Sequence, residues 1–379
     1  MEEGETPNKI NGQYIGGYTN TTRGFNSFLC VNIDHTEGTN HEAHITVYSG
    51  DTIYTAQFTF DWVKTSVIIH IDRIVEYAQQ KDGTFIKSEA TRQKNKSADL
   101  TLGWDKCLRL SWKTDSGQNN QTHTLIKSSD KSSTLVTTIT TWHEFKRSLD
   151  SLELDRYFFR GQPEPKRLRT SFHRTDRSNL SRYYKKNLPE LQHFISSLNE
   201  NYFNISEKGN LISLLSLVQH HGYPTPILDW TMSPYIAAYF AFQQYMDKSE
   251  HAPQVASDKY IRIYQLDFEE YQKDIPQFEE INDLFLHVSF SVTPLLSNQR
   301  AMPQQSVSCI STIDDIEAHI EHLEKQRNKT YLTAYDIPFA DKSRALKDLE
   351  LMGITHASLF PGMDGLCTHL RRKHFQQQT

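Results

Sequence analysis

The spacing of apolar residues changes character once along this chain, and that change limits the folds open to it. Up to about residue 130 the apolar positions come in short, partly alternating runs. They span Tyr14 to Tyr18, Ser27 to Ile33, Ala43 to Tyr48, Tyr54 to Phe60, Val67 to Ile71, Leu108 to Trp112 and Thr122 to Ile126, with Gly, Asn and Thr between them. Alternation buries one face of a strand, so repeated short runs with turn residues predict an all-β sandwich or barrel. The charged stretch Gln79 to Asp99 reads as a long hairpin loop. Clusters such as Gly16 to Gly24 suit ligand binding and tight turns equally, and no catalytic constellation stands out in this half.

Past the polar run Ser128 to Ser133, read as a linker, helical spacing takes over. Trp142, Phe145, Leu149 and Leu152 recur at that spacing, as do Leu188, Leu191, Phe194, Ile195 and Leu198 in a helix expected over 183–203. Strands are expected at 156–162, 261–266, 306–310 and 331–337, and helices at 314–325 and 342–352. Asp267 to Glu280 reads as an acidic loop, and Phe360 to Leu366, with Asp364, as a closing turn. Two domains follow: a β-rich sensing or interaction domain over 1–130 and an α+β domain over 140–375.

Net charge is −5, which gives no general attraction to nucleic acid or to an anionic membrane. The four cysteines are scattered and none forms a Cys-x-x-Cys pair, which argues against a disulfide framework or a zinc knuckle and suits a reducing cytoplasm. The acidic N-terminus lacks the apolar core of a secretory signal, and no apolar run reaches transmembrane length. A cytoplasmic protein with no membrane partner is expected. Nothing in the sequence fixes an oligomeric state.

The polar side chains concentrate in Gln219-His220-His221-Gly222-Tyr223-Pro224-Thr225-Pro226-Ile227-Leu228-Asp229-Trp230-Thr231-Met232-Ser233-Pro234. An apolar helix-like segment, Leu211 to Val218, runs into it, and another, Tyr235 to Phe242, runs out. Asp229 or Thr231 is expected to cap the second helix, with Pro234 in its first turn. Neighbouring His220 and His221 point about 100° apart on a helix, so they cannot share a metal, and no Cys, Glu or further His sits at ligand spacing. Ser233 lacks a Gly-x-Ser-x-Gly elbow, and neither a Walker loop nor Gly-x-Gly-x-x-Gly occurs. Two further polar clusters accompany this stretch: Arg160-Gly161-Gln162 at the end of an aromatic strand, and Arg300 to Gln305 after Ser297-Asn298-Gln299. An arginine followed by glycine can meet a phosphate or carboxylate in a bidentate fork. It can equally pair with Asp229, and the two roles are compatible if Asp229 orients it.

These motifs resemble the FRG domain, a bacterial module named for a Phe/Tyr-Arg-Gly motif, here Phe159-Arg160-Gly161 followed by Leu168 to Arg174. The stretch Gln219 to Pro234 with Ala238, Tyr239, Phe240 and Ala241 matches the family's Gln-His-x-Gly-x-Pro-Thr-Arg-Leu-Leu-Asp-Trp-Thr-x-Ser-Pro pattern, departing at Pro226 and Ile227. Arg300 to Gln305 and Phe360 to Gly365 look like two further family elements, the second with Gly362 in place of an acidic residue. The order of motifs is similar to that of the ADP-ribosyltransferase fold. The resemblance therefore implies an NAD-consuming bacterial defence or toxin-like effector. It would transfer ADP-ribose to nucleic acid or protein, or cleave NAD, without a metal. Arg160, His221, Asp229 and Gln305 would form the catalytic set. Gly161, Gln162, His220, Thr225, Thr231, Ser233, Tyr239 and Arg300 would hold the NAD co-substrate. Gln304 and Gln305 stand where such enzymes carry glutamate, and glutamine offers hydrogen bonds without charge. That supports an alternative: a non-catalytic module that binds a nucleotide or other anion and signals through the β domain. A nuclease or hydrolase using His221 and Asp229 is the weakest reading, since no paired-carboxylate motif accompanies them.

Overall fold

The computed structural model describes residues 10–20, 25–63, 65–80, 85–88, 96–105, 107–117, 122–128, 132–198, 202–207, 209–243, 259–281, 284–292 and 298–375. In the N-terminal half the strands are β1 Gly12–Asn20, β2 Phe25–Glu37, β3 Asn40–Ser49, β4 Thr52–Asp61 and β5 Ser66–Ile71. They are followed by β6 Val75–Gln79, β7 Phe85–Lys87, β8 Ala98–Asp105, β9 Cys107–Thr114 and β10 His123–Leu125. They build two sheets, β1-β2-β3-β4-β6-β7 and β10-β9-β8-β5, antiparallel throughout. Alternation decides the packing: β8 runs buried, exposed, buried, exposed, buried from Ala98 to Leu102. Leu29, Val31, Ile33 and Phe58 of one sheet and Leu100, Leu102, Leu108 and Leu110 of the other fill one core. The sheets also join at a seam, where Ile15 and Ile126 exchange two backbone hydrogen bonds of 3.1 Å.

The all-β reading of this half holds, with one correction. Gln79 to Asp99 is not a plain loop: β7 and the start of β8 lie in it. β7 is a three-residue edge strand beside charged residues, and short charged edges resist pairing with other chains but read as loop in sequence. Residues 81–84 and 89–95 of that stretch, residues 21–24 of the Gly16 to Gly24 cluster, residues 129–131 of the linker and Ser297 lie outside the described residues.

The C-terminal half begins with β11 Thr138–Ile139, α1 Trp142–Ser148, β12 Tyr157–Gln162, α2 Leu180–Arg182 and α3 Leu188–Leu198. Next come α4 Asn210–His220, β13 Ile227–Thr231, α5 Pro234–Gln243, β14 Tyr260–Asp267, α6 Phe268–Asp274 and β15 Val288–Ser291. β16 Ser306–Ser311, α7 Ile316–Arg327, β17 Leu332–Pro338, α8 Lys342–Leu351, α9 His356–Leu359 and α10 Met363–Phe375 complete it. The strands form one mixed sheet, β11-β17-β14-β12-β13-β16-β15, in which β11 and β17 run parallel and the other neighbours antiparallel. Both faces are covered. Phe158, Tyr264 and Leu266 pack with Ile316 and Ile320 of α7, whereas Phe159, Ile261 and Ile263 pack with α1, α5 and α8. Strands buried on both faces need apolar residues at successive positions, as Phe158-Phe159 supplies.

Three expectations change here. The acidic stretch after Asp267 contains α6. The Asp267 side chain accepts from the Glu270 N–H at 3.2 Å, and Glu269 and Glu270 lie in the first turn, where the helix dipole favours acids. The helix expected over 183–203 is a π-helical turn, Tyr183–Asn187, leading into α3, Leu188–Leu198; residues 199–201 lie outside the described residues, and Tyr202 and Phe203 are not helical. The closing turn is short, because Asp364 already sits in the first turn of α10.

Candidate functional site

β12 is held unequally by its two neighbours. Toward β14 six residues pair in register, whereas toward β13 only Phe159 pairs, with Thr231. Had that ladder continued, Gly161 would have faced Asp229. Instead the strands part, and α5 seats against β12 beside the gap. A Cβ on Gly161 would stand 1.8 Å from the Ala237 carbonyl oxygen of α5, so the approach is possible only with glycine. The gap opens into a cavity of about 230 Å³, lined by Arg160, His220, Asp229, Thr231, Gln304 and Ser306, with aromatic walls from Phe240 and Phe360.

Arg160 is the cavity's central cation. Its Nη1 donates to the Asp229 carbonyl oxygen, bridging the strands where the backbone ladder is missing. Its Nε is buried and has no partner. Burial pushes its pKa down to about 10; Asp229 opposes that shift and Arg174 adds to it. A guanidinium with a buried, uncommitted donor is costly unless something anionic completes it.

The Asp229 side chain is oriented from behind. Gln219 Nε2 donates to Asp229 Oδ2 at 2.5 Å, and Gln219 Oε1 accepts from the Thr225 hydroxyl. Thr225 is itself fixed by Ser171, whose Oγ accepts from its N–H at 2.9 Å. His220 ends α4 at the cavity edge. Burial holds its pKa below the usual imidazole range, against the pull of Asp229, and Arg300 lowers it further. It therefore enters neutral chemistry as a donor or acceptor.

The far wall is tied to the C-terminal helices. Thr231 Oγ1 donates to the Gln304 carbonyl at 2.7 Å and accepts from the Ser233 N–H at 3.1 Å. Gln304 is buried and its Nε2 donates to the Leu359 carbonyl at 2.9 Å, which places Phe360 over the cavity. The Arg300 guanidinium lies 5.2 Å from the Phe360 ring centroid. Gly365 lets α10 start against this turn, since a Cβ there would stand 1.7 Å from the Phe360 carbonyl oxygen.

The fold brings Arg160, Gly161, His220, Asp229 and Thr231 together around the cavity, with Arg300 beside His220 and Phe360. It leaves the other expected residues outside the lining. His221 is exposed at the end of α4. Gln305 is exposed with φ 46°, a left-handed turn that sends the neighbouring Gln304 inward. Gln162 is buried and donates to the Lys166 carbonyl at 2.7 Å. Thr225 is buried behind Asp229, and the Tyr239 hydroxyl points to His356 Nδ1 at 3.3 Å. Ser233 caps α5, accepting from the Ile236 N–H at 3.3 Å, a role the sequence reading gave to Asp229 or Thr231. The apparent loop between α4 and α5 contains a central strand, β13. Phe240 and Phe360 were not singled out for the site, although each lies in a stretch quoted for its motifs.

The family model of the FRG domain matches residues 155–250. That span carries β12, α4, β13 and α5, whereas Gln304, Ser306 and Phe360 complete the lining from outside it. No curated protein matches the chain. Among the described residues no helix is long and apolar enough to cross a membrane, and no group of three metal-ligating side chains occurs.

Proposed function

We propose that the cavity binds a nucleotide of the NAD class through its phosphates, with Arg160 as the anchoring cation. One observation carries this reading: half-buried Arg160 keeps a buried, unpartnered Nε while facing a cavity whose lining contains a single carboxylate, Asp229. Phe240 and Phe360, with ring centroids 6.1 Å apart, offer aromatic surface to a base or to nicotinamide.

On this reading the transferase chemistry would rest on Asp229. Breaking the nicotinamide–ribose bond leaves its electron pair with nicotinamide and an oxocarbenium-like centre on the ribose. A carboxylate beside that centre stabilises it until water or an acceptor nucleophile adds. Gln304 is an unsuitable substitute, being neutral and engaged with the Leu359 carbonyl. That engagement favours the second reading, a module that binds the nucleotide without consuming it.

Calorimetric titration with ADP-ribose, together with nicotinamide release from NAD in a cell extract, separates the two. Binding that Arg160→Ala abolishes supports the site. Nicotinamide release that Asp229→Asn abolishes supports catalysis, and binding without release supports the module. If ADP-ribose and NAD both fail to bind, the nucleotide reading is wrong. A defence or toxin-like role predicts growth arrest on expression, relieved by Arg160→Ala.

A further inference from the structure

Among the described residues lining the cavity, only Arg160 and Asp229 carry a full charge, and their charged groups do not pair. Arg160 Nη1 donates to the Asp229 backbone carbonyl, while its Nε is buried without a partner. The carboxylate belongs to the same residue as that carbonyl, so rotation about the Asp229 side-chain bonds is enough to bring it toward the guanidinium. Arginine and carboxylate match as a bidentate fork, which makes that closure the natural default. The structure does not adopt it.

The restraint is Gln219, in the last turn of α4. Its Nε2 donates to Asp229 Oδ2 at 2.5 Å, and its Oε1 accepts from the Thr225 hydroxyl. The amide can stand only one way round. An ionised carboxylate accepts but cannot donate, so the NH2 group must face Asp229 and the oxygen must face Thr225. Thr225 is fixed in turn. It is buried, its N–H donates to the Ser171 hydroxyl at 2.9 Å, and its carbonyl accepts from the Phe172 N–H at 3.0 Å. The connection from α4 into β13 thus carries a relay, Thr225 to Gln219 to Asp229. It engages the carboxylate and leaves Arg160 with the carbonyl alone.

We propose that Gln219 withholds the Asp229 carboxylate from Arg160 and so keeps the guanidinium open to an external phosphate. Gln219 and Thr225 are positioning residues, because they act on the ligand only through Asp229. That the anion belongs to a nucleotide rests on the reading above; the withholding does not. Without Gln219 the two side chains close on one another as an internal ion pair. A ligand must then open that pair first, and apparent affinity falls with the fraction of molecules left open.

The test is a cycle of Gln219→Leu and Asp229→Asn in the full chain, titrated calorimetrically with ADP-ribose and, separately, with inorganic pyrophosphate. Gln219→Leu should weaken binding roughly ten- to a hundredfold, the range of a charge-assisted hydrogen bond that has to be broken first. Asp229→Asn cannot neutralise Arg160 and should bind at least as tightly as the wild type. Adding it to Gln219→Leu should restore the lost affinity, which a merely structural role of Gln219 does not predict. Thr225→Val should lose affinity in the same direction but by less, and Thr225→Ser should keep it. Labelling of Arg160 with phenylglyoxal, read by peptide mass spectrometry, needs no ligand. It should slow in Gln219→Leu and recover in the double variant. Unchanged affinity and labelling in Gln219→Leu, or a loss that Asp229→Asn leaves in place, overturns the proposal. Pyrophosphate binding without ADP-ribose binding overturns the nucleotide reading alone. If neither ligand binds, that reading falls and the labelling rates decide the withholding by themselves. Should Gln219→Leu fail to fold, Thr225→Val runs the same cycle.

Discussion

Two arginines lie on neighbouring strands of the same sheet, one buried and one half-buried, and they are compensated in opposite ways. Arg262 of β14 is 4% exposed, and its Nε and Nη2 donate to the two Asp336 oxygens, each at 2.8 Å. Its Nη1 reaches the Ser133 hydroxyl, and Thr137 completes Asp336 at 2.9 Å. Burial works against its charge, yet the Asp336 contacts raise its pKa overall. Arg160 of β12 has one carbonyl, an unmet Nε and a pKa pushed down to about 10. The first arginine is closed by its own carboxylate and can only hold the sheet together. The second is left incomplete beside a cavity, which is where perturbed groups point to binding or catalysis.

The comparison breaks most visibly in stability. Arg262→Ala leaves Asp336 buried and unpaired, and should lower unfolding free energy by about 3–5 kcal/mol. Arg160→Ala strands no carboxylate and should change stability by less than about 1 kcal/mol, within the range of unpaired sites. It should still abolish nucleotide binding. Urea unfolding of both variants decides this, and equal losses would remove the distinction. Gly161→Ala tests the gap itself. With a methyl forced to 1.8 Å from the Ala237 carbonyl, either α5 or β12 must shift, costing about 1–3 kcal/mol or more. Binding should fall with it, because the cavity lies along that contact. A variant of normal stability and affinity would show that α5 is not seated as described.

How much of this was legible beforehand follows from what each residue depends on. Strands β1 to β5, β9 and β10 were visible because alternation is local. Arg160, His220 and Asp229 were visible because their motifs are local too. β13 was hidden, as it is only five residues long, follows Pro224-Thr225-Pro226 and carries the exposed Asp229 at its centre. The choice between Gln304 and Gln305 could not be read either, because it depends on Gln305 taking φ 46°. Likewise His220 and His221 differ only in where α4 stops. Gln13 and Asp314 lie far apart in sequence, and only the docking of the two halves lets Gln13 accept from the Asp314 N–H at 3.0 Å.

A smaller effect sharpens the question of the glutamines. Gln304→Glu would install the acid that the resemblance to ADP-ribosyltransferases calls for. Here it replaces a donor to the Leu359 carbonyl with a buried carboxylate facing that oxygen. The expected result is a loss of about 1–3 kcal/mol and no gain in nicotinamide release. Release that rises in Gln304→Glu would return the catalytic role to that position and take it from Asp229.

Between the two arginines stands a half-compensated case, and its signature is a pH dependence. Asp314, 6% exposed at the junction of the halves, accepts from Arg169 through Oδ2, while its Oδ1 is buried without a partner. Burial raises its pKa to about 6, with Arg169 and Lys127 opposing and Asp315 and Asp176 adding. A carboxyl that titrates higher in the folded chain than in the unfolded one binds its proton more tightly when folded. Its stabilising contribution is therefore complete below the ordinary carboxylate pKa of about 4 and is lost as pH rises through about 6. Asp314→Asn mimics the protonated form at every pH. The stability of the wild-type chain relative to this variant should fall between pH 4 and pH 7 and level off above, as followed by urea unfolding. Carboxylates held low elsewhere, such as Asp348, pull the opposite way in both chains and cancel in the difference. A difference that is flat or rises with pH would mean that Arg169 compensates Asp314 as fully as Asp336 compensates Arg262.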